Sequence, residues 1–179
     1  ELLDDIATQL AELTTLVGDL TELARDEPLH RDPEPLDLAE VVQRSLNRVQ
    51  LRANDVVFVN DLSPCWVIGD SQLLERAMTN LLDNAVKWSR PGDTVTTTVK
   101  DGVVTVQDEG PGIAPADLPH VFDRFWRAED ARGMPGSGLG LSIVKQAASR
   151  HGGTVSVRSE VGKGSTFVFA IACTQPNES

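Results

Sequence analysis

The chain has 179 residues, 27 acidic and 16 basic side chains, a formal net charge of -11 and 40% hydrophobic residues. That length and apolar fraction predict one folded domain with a real core and exclude wholesale disorder, while the acidic balance excludes nucleic acid and anionic membranes as partners. Cys65 and Cys173 lack CxxC spacing, so neither a zinc site nor a disulfide is expected, and a reducing compartment is the default.

Residues 1–27 open the chain with Leu3, Ile6, Leu10, Leu13, Val17, Leu20 and Ala24 at alternating steps of three and four. This is the apolar seam of a coiled coil or bundle helix. Because Glu1 already lies inside the pattern, the chain reads as a piece of something longer. Pro28, Pro33 and Pro35 end this helix and predict a stiff linker over 28–36. A domain over 37–173 follows, with a frayed tail over 174–179. Asp37 caps a helix running to about Arg52, with Leu38, Val41, Val42, Leu46 and Val49 on one face. Val56–Asn60 and Trp66–Ile68 read as strands, and Asp70 or Ser71 starts a helix through about Ser89. Thr94–Lys100 and Val103–Gln107 form a hairpin around Asp101-Gly102. A short helix is expected near 115–127. Leu139–His151 is a third helix closed by Gly152-Gly153, and Thr154–Arg158 with Thr166–Ala172 make a last hairpin. Interleaved strands and helices predict a two-layer α/β sandwich with a mixed sheet on three helices. The longest apolar run is far below the roughly 20 residues of a membrane span, and no signal peptide is expected.

Four motifs carry chemistry. Asn80, Asn84 and Lys87 sit at i, i+4 and i+7 and share one helical face, while Leu81, Leu82 and Ala85 turn away from it. Two amides and an ammonium suit a magnesium triphosphate, since an amide oxygen is a hard ligand and lysine neutralises phosphate. Taken alone, a solvated polar face is the better explanation of them. Asp108-Glu109-Gly110-Pro111-Gly112 ends a strand; a carboxylate before spaced glycines lets a planar base approach while accepting from its amine, and a plain turn is the simpler alternative. Gly136-Ser137-Gly138-Leu139-Gly140-Leu141 runs into a helix whose N-terminal N–H groups attract an anion. Gly162-Lys163-Gly164-Ser165-Thr166-Phe167 is a hairpin turn. Between the second and third lies Phe122-Asp123-Arg124-Phe125-Trp126-Arg127, and Arg127 and Arg132 are within reach of phosphates.

In this order the motifs resemble the catalytic, ATP-binding domain of bacterial sensor histidine kinases, over essentially all of residues 1–172. The N box is Asn80–Lys87, the glycine boxes Asp108–Gly112, Gly136–Leu141 and Gly162–Phe167, and the F box Phe122–Arg127. The heptad helix looks like the second helix of the family's dimerisation and phosphotransfer hairpin. The resemblance implies the Bergerat α/β sandwich, with ATP and Mg2+ as ligands. Asn84 would hold the metal, while Asn80, Lys87 and Arg127 would serve catalysis around the phosphates. Asp108 would bind the adenine amine, Gly110 and Gly112 would give the base room, and Thr166 would lie near the same pocket. Arg132, Gly136, Gly138, Leu139 and Gly140 would line the phosphates. It also implies a cognate response regulator, a homodimeric full-length protein anchored in the membrane, and a cytoplasmic location for this part, which would itself contact neither membrane nor nucleic acid. An amide at Asn80, where the gyrase and chaperone branch has a glutamate, cannot activate water, which favours transfer to a protein acceptor over hydrolysis.

The acceptor histidine is missing. His30 precedes Arg31 in the linker, His120 follows Pro119, and His151 ends a helix, where a partly cationic ring would favour the dipole. All three read as structural or solvated. Competing expectations are an anti-sigma-factor serine kinase, disfavoured by the heptad helix and the long F box, and a silent nucleotide-binding scaffold, disfavoured by the intact boxes. The acidity is segmental: residues 1–40 hold 12 acids and 2 bases, residues 41–179 hold 15 and 14. The domain itself is therefore near neutral and opposes no anion.

Overall fold

The computed structural model describes Val17 and residues 32–53, 55–127 and 137–174. The expected leading helix lies outside the described residues except for Val17, which is helical and exposed. Most of the linker, Arg132, Gly136 and residues 175–179 also lie outside them.

Three helices form one layer: α1 (Leu38–Gln50), α2 (Ser71–Trp88) and α3 (Gly140–Arg150). Each begins or packs where its sequence dictates. The Asp37 carboxylate accepts from Ala39 N, and that of Asp70 accepts from Gln72 N and Leu73 N, so both caps satisfy orphan N–H groups. On α1, Leu38, Val41, Val42, Leu46 and Val49 are buried; on α2, Leu74, Ala77, Met78, Leu81, Leu82 and Ala85 are. Both sets recur at three- and four-residue steps, the stripe that turns a helix face inward.

The second layer is a five-stranded sheet of β2 (Val57–Leu62), β4 (Thr94–Lys100), β5 (Val103–Asp108), β7 (Gly164–Ala170) and β6 (Thr154–Glu160), in that spatial order. β2 runs parallel to β4 and every other neighbour pair is antiparallel, so the sheet is mixed as expected. Val95, Val99, Val104, Val106, Phe167 and Phe169 point into the helix layer and are buried. The Asp101-Gly102 turn has φ of 49° and 79° at its two central residues, the paired positive values of a type I′ hairpin.

Several expectations need correction. The linker does not extend to residue 36: β1 (Glu34–Asp37) pairs antiparallel with β3 (Trp66–Gly69), and Leu36 lies opposite Val67 in the core. Proline lacks a ladder donor but is tolerated on an edge strand, so Pro35 opposite Ile68 does not prevent pairing. The helix expected near 115–127 reduces to one 3-10 turn, Leu118–His120. Phe125 has φ 63°, and its N–H donates to Gly138 O at 3.1 Å, which takes the backbone out of any helical ladder. The last strand is Gly164–Ala170, starting and ending two residues before the expected Thr166–Ala172.

A disulfide joins Cys65 to Cys173, whose Cα atoms are 6.2 Å apart, against the expectation of free thiols. Around it, Thr174 N donates to Trp66 O at 2.7 Å and Ile171 N to Gly102 O at 2.9 Å. Cys65 N donates to the Asp37 cap at 2.9 Å. His151 is structural, as read, but its ring is arranged as the neutral form. Its Nε2 accepts from Asp70 N at 3.0 Å, so the proton sits on Nδ1, which donates to Ala147 O at 2.7 Å.

Candidate functional site

The site lies at the end of the sheet where β5 finishes and α2 ends. α2 turns its apolar stripe to the sheet, and Asn80, Asn84 and Lys87 share the helical face that the stripe leaves over. Asn80 Nδ2 is buried with no hydrogen-bond partner among the described residues. Its Oδ1 lies 3.5 Å from where a Cβ on Gly140 would stand, so α3 begins against this amide. A buried, unpaired amide costs free energy and points to a ligand that would complete it. The Lys87 ammonium is held below the ordinary lysine range by burial, and further by the positive charge of Arg127. Two cations gathered at one place favour an anion between them. Asp83, next to Asn84, borders this face but turns its side chain to Arg52. Its carboxylate accepts from Arg52 Nη2 at 2.8 and 2.9 Å; burial raises its pKa and Arg52 offsets part of that rise.

Asp108 closes β5 and is 2% exposed. Gly110 N at 2.9 Å and Ser165 N at 3.2 Å both donate to its Oδ1. Burial pushes the carboxyl above the usual range; these two N–H donors lower it partly, and Asp93 adds a smaller upward push. Both bonds use one oxygen, leaving Oδ2 to accept from a ligand amine. The glycine turn beside it is required by close approach. A Cβ on Gly110 would stand 2.6 Å from Trp88 O, and Gly112, at φ 74°, would overlap the Glu160 carbonyl.

The second glycine box meets the F box: Phe125 N bonds Gly138 O, and Leu139 is fully buried beneath. Gly140 reaches Asn80, and Arg127 reaches Lys87 electrostatically. Arg132 and Gly136 lie outside the described residues.

Thr166 is not brought to Asp108. It lies opposite Gln107 and Arg158, whereas Ser165 is the register partner of Asp108. Adjacent strand residues face opposite sides of a sheet, so the residue facing Asp108 is Ser165. Ser165 was legible: Phe167 is a core residue, and a buried position recurs two residues before it. Ser159, on β6, was also missed; its hydroxyl bonds Gly164 O at 2.8 Å and contacts Ser165 Oγ at 3.0 Å.

Among the described residues no group of three His, Cys, Asp or Glu forms a metal cluster. One amide oxygen at Asn84 fits magnesium, which keeps waters and phosphate oxygens as most of its ligands. A groove of about 340 Å³ lined by Arg48, Gln72, Glu75, Arg76 and Thr79 shares none of the site residues.

Residues 69–175 match the family described as histidine kinase-, DNA gyrase B- and HSP90-like ATPase. The signal transduction histidine-protein kinase/phosphatase MprB of Mycobacterium avium (strain 104) is 47% identical over 169 residues, covering 92% of this chain and 32% of that protein. The solved mycobacterial sensor histidine kinase MprB superposes with a TM-score of 0.72 at 40% identity, covering 80% of this chain and 99% of that one. Full-length ShkA in complex with AMPPNP superposes at 0.73 with 28% identity, over 90% of this chain and 37% of that chain. The chain spans about a third of the length of the curated relatives it matches. It belongs to this ATPase-like family, in its sensor histidine kinase branch.

Proposed function

We propose that this chain is the ATP-binding catalytic part of a two-component sensor kinase, which transfers the γ-phosphoryl group of ATP to a histidine on a dimerisation domain. One observation carries the reading. The unpaired buried amide of Asn80, the paired cations Lys87 and Arg127, and the one-sided carboxylate of Asp108 all belong to one end of the fold. Asp108 Oδ2 accepts from the adenine amine, and the Gly110–Gly112 turn leaves the base room against the backbone. Lys87 and Arg127 offset phosphate charge, and Asn80 donates from Nδ2. Bound through Asn84, magnesium would neutralise phosphate oxygens and orient them. Among the described residues the carboxylate nearest Asn80 along the helix, Asp83, is engaged by Arg52, and an amide at Asn80 cannot itself serve as a base for water. The groups present therefore bind and orient, and the nucleophile comes from a protein acceptor.

Residues 1–27 would form the second helix of that acceptor hairpin, 28–33 the linker, and 34–173 the catalytic unit. The full-length protein would be a membrane-anchored homodimer with this part in the cytoplasm, passing phosphate to a response regulator. No described helix is long and apolar enough to cross a membrane. The test is phosphotransfer from labelled Mg-ATP to an added dimerisation hairpin carrying the histidine. The expected result is label on the hairpin that disappears with Asn84→Ala. Tight ATP binding with no labelling of any acceptor hairpin would sink the kinase assignment and favour a silent scaffold.

A further inference from the structure

We infer that Ser159, outside every motif, is a positioning residue that sets the hydrogen-bond polarity of the base pocket and so helps select an amino-bearing over a keto-bearing purine nucleotide. The inference rests on the nucleotide-site reading above. Ser159 Oγ sits at the junction of three chain segments. It donates to Gly164 O at 2.8 Å, accepts from Ile113 N at 2.8 Å and contacts Ser165 Oγ at 3.0 Å. A serine hydroxyl has one proton and two lone pairs. Because a carbonyl only accepts, that single proton is committed to Gly164 O. Ile113 N–H only donates, so it occupies one lone pair. In the remaining contact Ser165 must therefore be the donor.

The direction fixed at Ser159 reaches the pocket. Ser165 gives its proton away to Ser159 and keeps its lone pairs, on the face it shares with its register partner Asp108. Its backbone N–H is already spent on Asp108 Oδ1 at 3.2 Å. The wall at Asp108 then presents acceptors: the carboxylate oxygen Oδ2 and the Ser165 hydroxyl oxygen. An exocyclic amine meets this wall favourably, whereas a keto oxygen meets repulsion and finds no proton. Negative selection of this kind follows from groups left unpaired by the wrong ligand. Ser159 also ties the Gly112 turn to the β6–β7 turn, where Gly162 N donates to Pro111 O at 2.7 Å. Its loss would free the Ser165 hydroxyl to rotate and donate.

The experiment measures ATP and GTP affinity by calorimetry on the whole chain and its Ser159→Ala, Ser159→Thr and Ser165→Ala variants, with circular dichroism to confirm folding. Ser159→Ala should weaken ATP about tenfold and narrow the ATP:GTP ratio by a similar factor, the scale of one hydrogen bond. Ser159→Thr, which keeps the hydroxyl, should restore the ratio. In the Ser165→Ala background, Ser159→Ala should leave the ratio unchanged, because the relay has lost its far end. A folded Ser159→Ala protein with the wild-type ratio overturns the inference, even if it is less stable. So does an equal effect with and without Ser165. Should Ser159→Ala fail to fold, Ser165→Ala alone must narrow the ratio, and an unchanged ratio there overturns it too. Wild-type protein that binds neither nucleotide overturns the nucleotide reading and, with it, this one.

Discussion

Asp108→Asn separates the two jobs of a buried carboxylate. Its Oδ1 receives N–H bonds from Gly110 and Ser165 at 2.9 and 3.2 Å, and an asparagine oxygen in the same place can accept both. The turn geometry therefore survives. The other atom changes from an acceptor oxygen to a donor NH2, which opposes an adenine amine. The loss is one charge-assisted hydrogen bond, about 1.5–3 kcal/mol. At about 1.4 kcal/mol per tenfold, ATP affinity should fall about 10- to 150-fold. Stability should move the other way or stay level, because the variant no longer buries a charge. Calorimetry with Mg-ATP measures the first effect and thermal unfolding the second. The pH dependence gives an independent check. Burial raises the Asp108 pKa above its value in the unfolded chain, so the folded state holds this proton to higher pH. Its contribution to stability is full below the unfolded value and is lost as pH rises through the raised one. D108N should remove that decline from the unfolding profile of the nucleotide-free protein. An Asn variant that binds ATP within twofold of wild type would refute the assignment of Asp108 to the base.

Other perturbations test separate parts. Arg127→Ala should raise the Lys87 ammonium pKa, read by NMR of labelled lysine. The recovery should be partial, since burial is the larger cause of its depression. Asn84→Ala should abolish the gain in ATP affinity on adding Mg2+ while leaving metal-free binding nearly unchanged, measured by titration with and without chelator. Thr97 Oγ1 is buried without a hydrogen-bond partner among the described residues, so the isosteric Thr97→Val should stabilise the domain by about 1–2 kcal/mol, seen as a higher Tm. Reducing the Cys65–Cys173 bridge, or replacing both cysteines by Ala, reopens a sequence separation of 108 residues. Chain entropy puts the cost at about 4–5 kcal/mol. Unfolding in the presence and absence of reductant reads it, with nucleotide affinity unchanged because the bridge lies at the far end of the sheet.

The three helices were legible because each carries its own signals: Asp37 and Asp70 as caps, Gly152 at φ 64° as a stop, and apolar residues at three- and four-residue steps. Features decided by distant contacts were not. Pro33 and Pro35 argue locally for a linker, and only the pairing of Leu36 with Val67 makes that stretch a strand. Leu118, Val121, Phe122 and Phe125 have helical spacing, yet Gly138, far along the chain from the F box, takes the Phe125 N–H. Nothing in the spacing of two cysteines announces that β3 and the exit from β7 come together. In the site, the residue types of the N box and of Asp108 were enough to suggest their chemistry. The choice of Thr166 over Ser165 turned on strand register, and a slip of one residue reverses the face.

The Cys65–Cys173 bridge also decides how the domain is held. Asp37, where the chain comes in, is bonded to Cys65 N, and Thr174, where it goes out, is bonded to Trp66 O. Both attachments therefore sit at one pole, while Asp108 and the glycine turns occupy the other. A six-residue strand such as β5 separates the poles by roughly 20 Å at about 3.3 Å per residue. A body gripped at one end is a lever: a tilt of about 15° at the grip carries the opposite end about 5 Å over that span. The covalent staple keeps the grip from fraying, so a rotation imposed at Asp37 would be carried whole to the pole of Asp108.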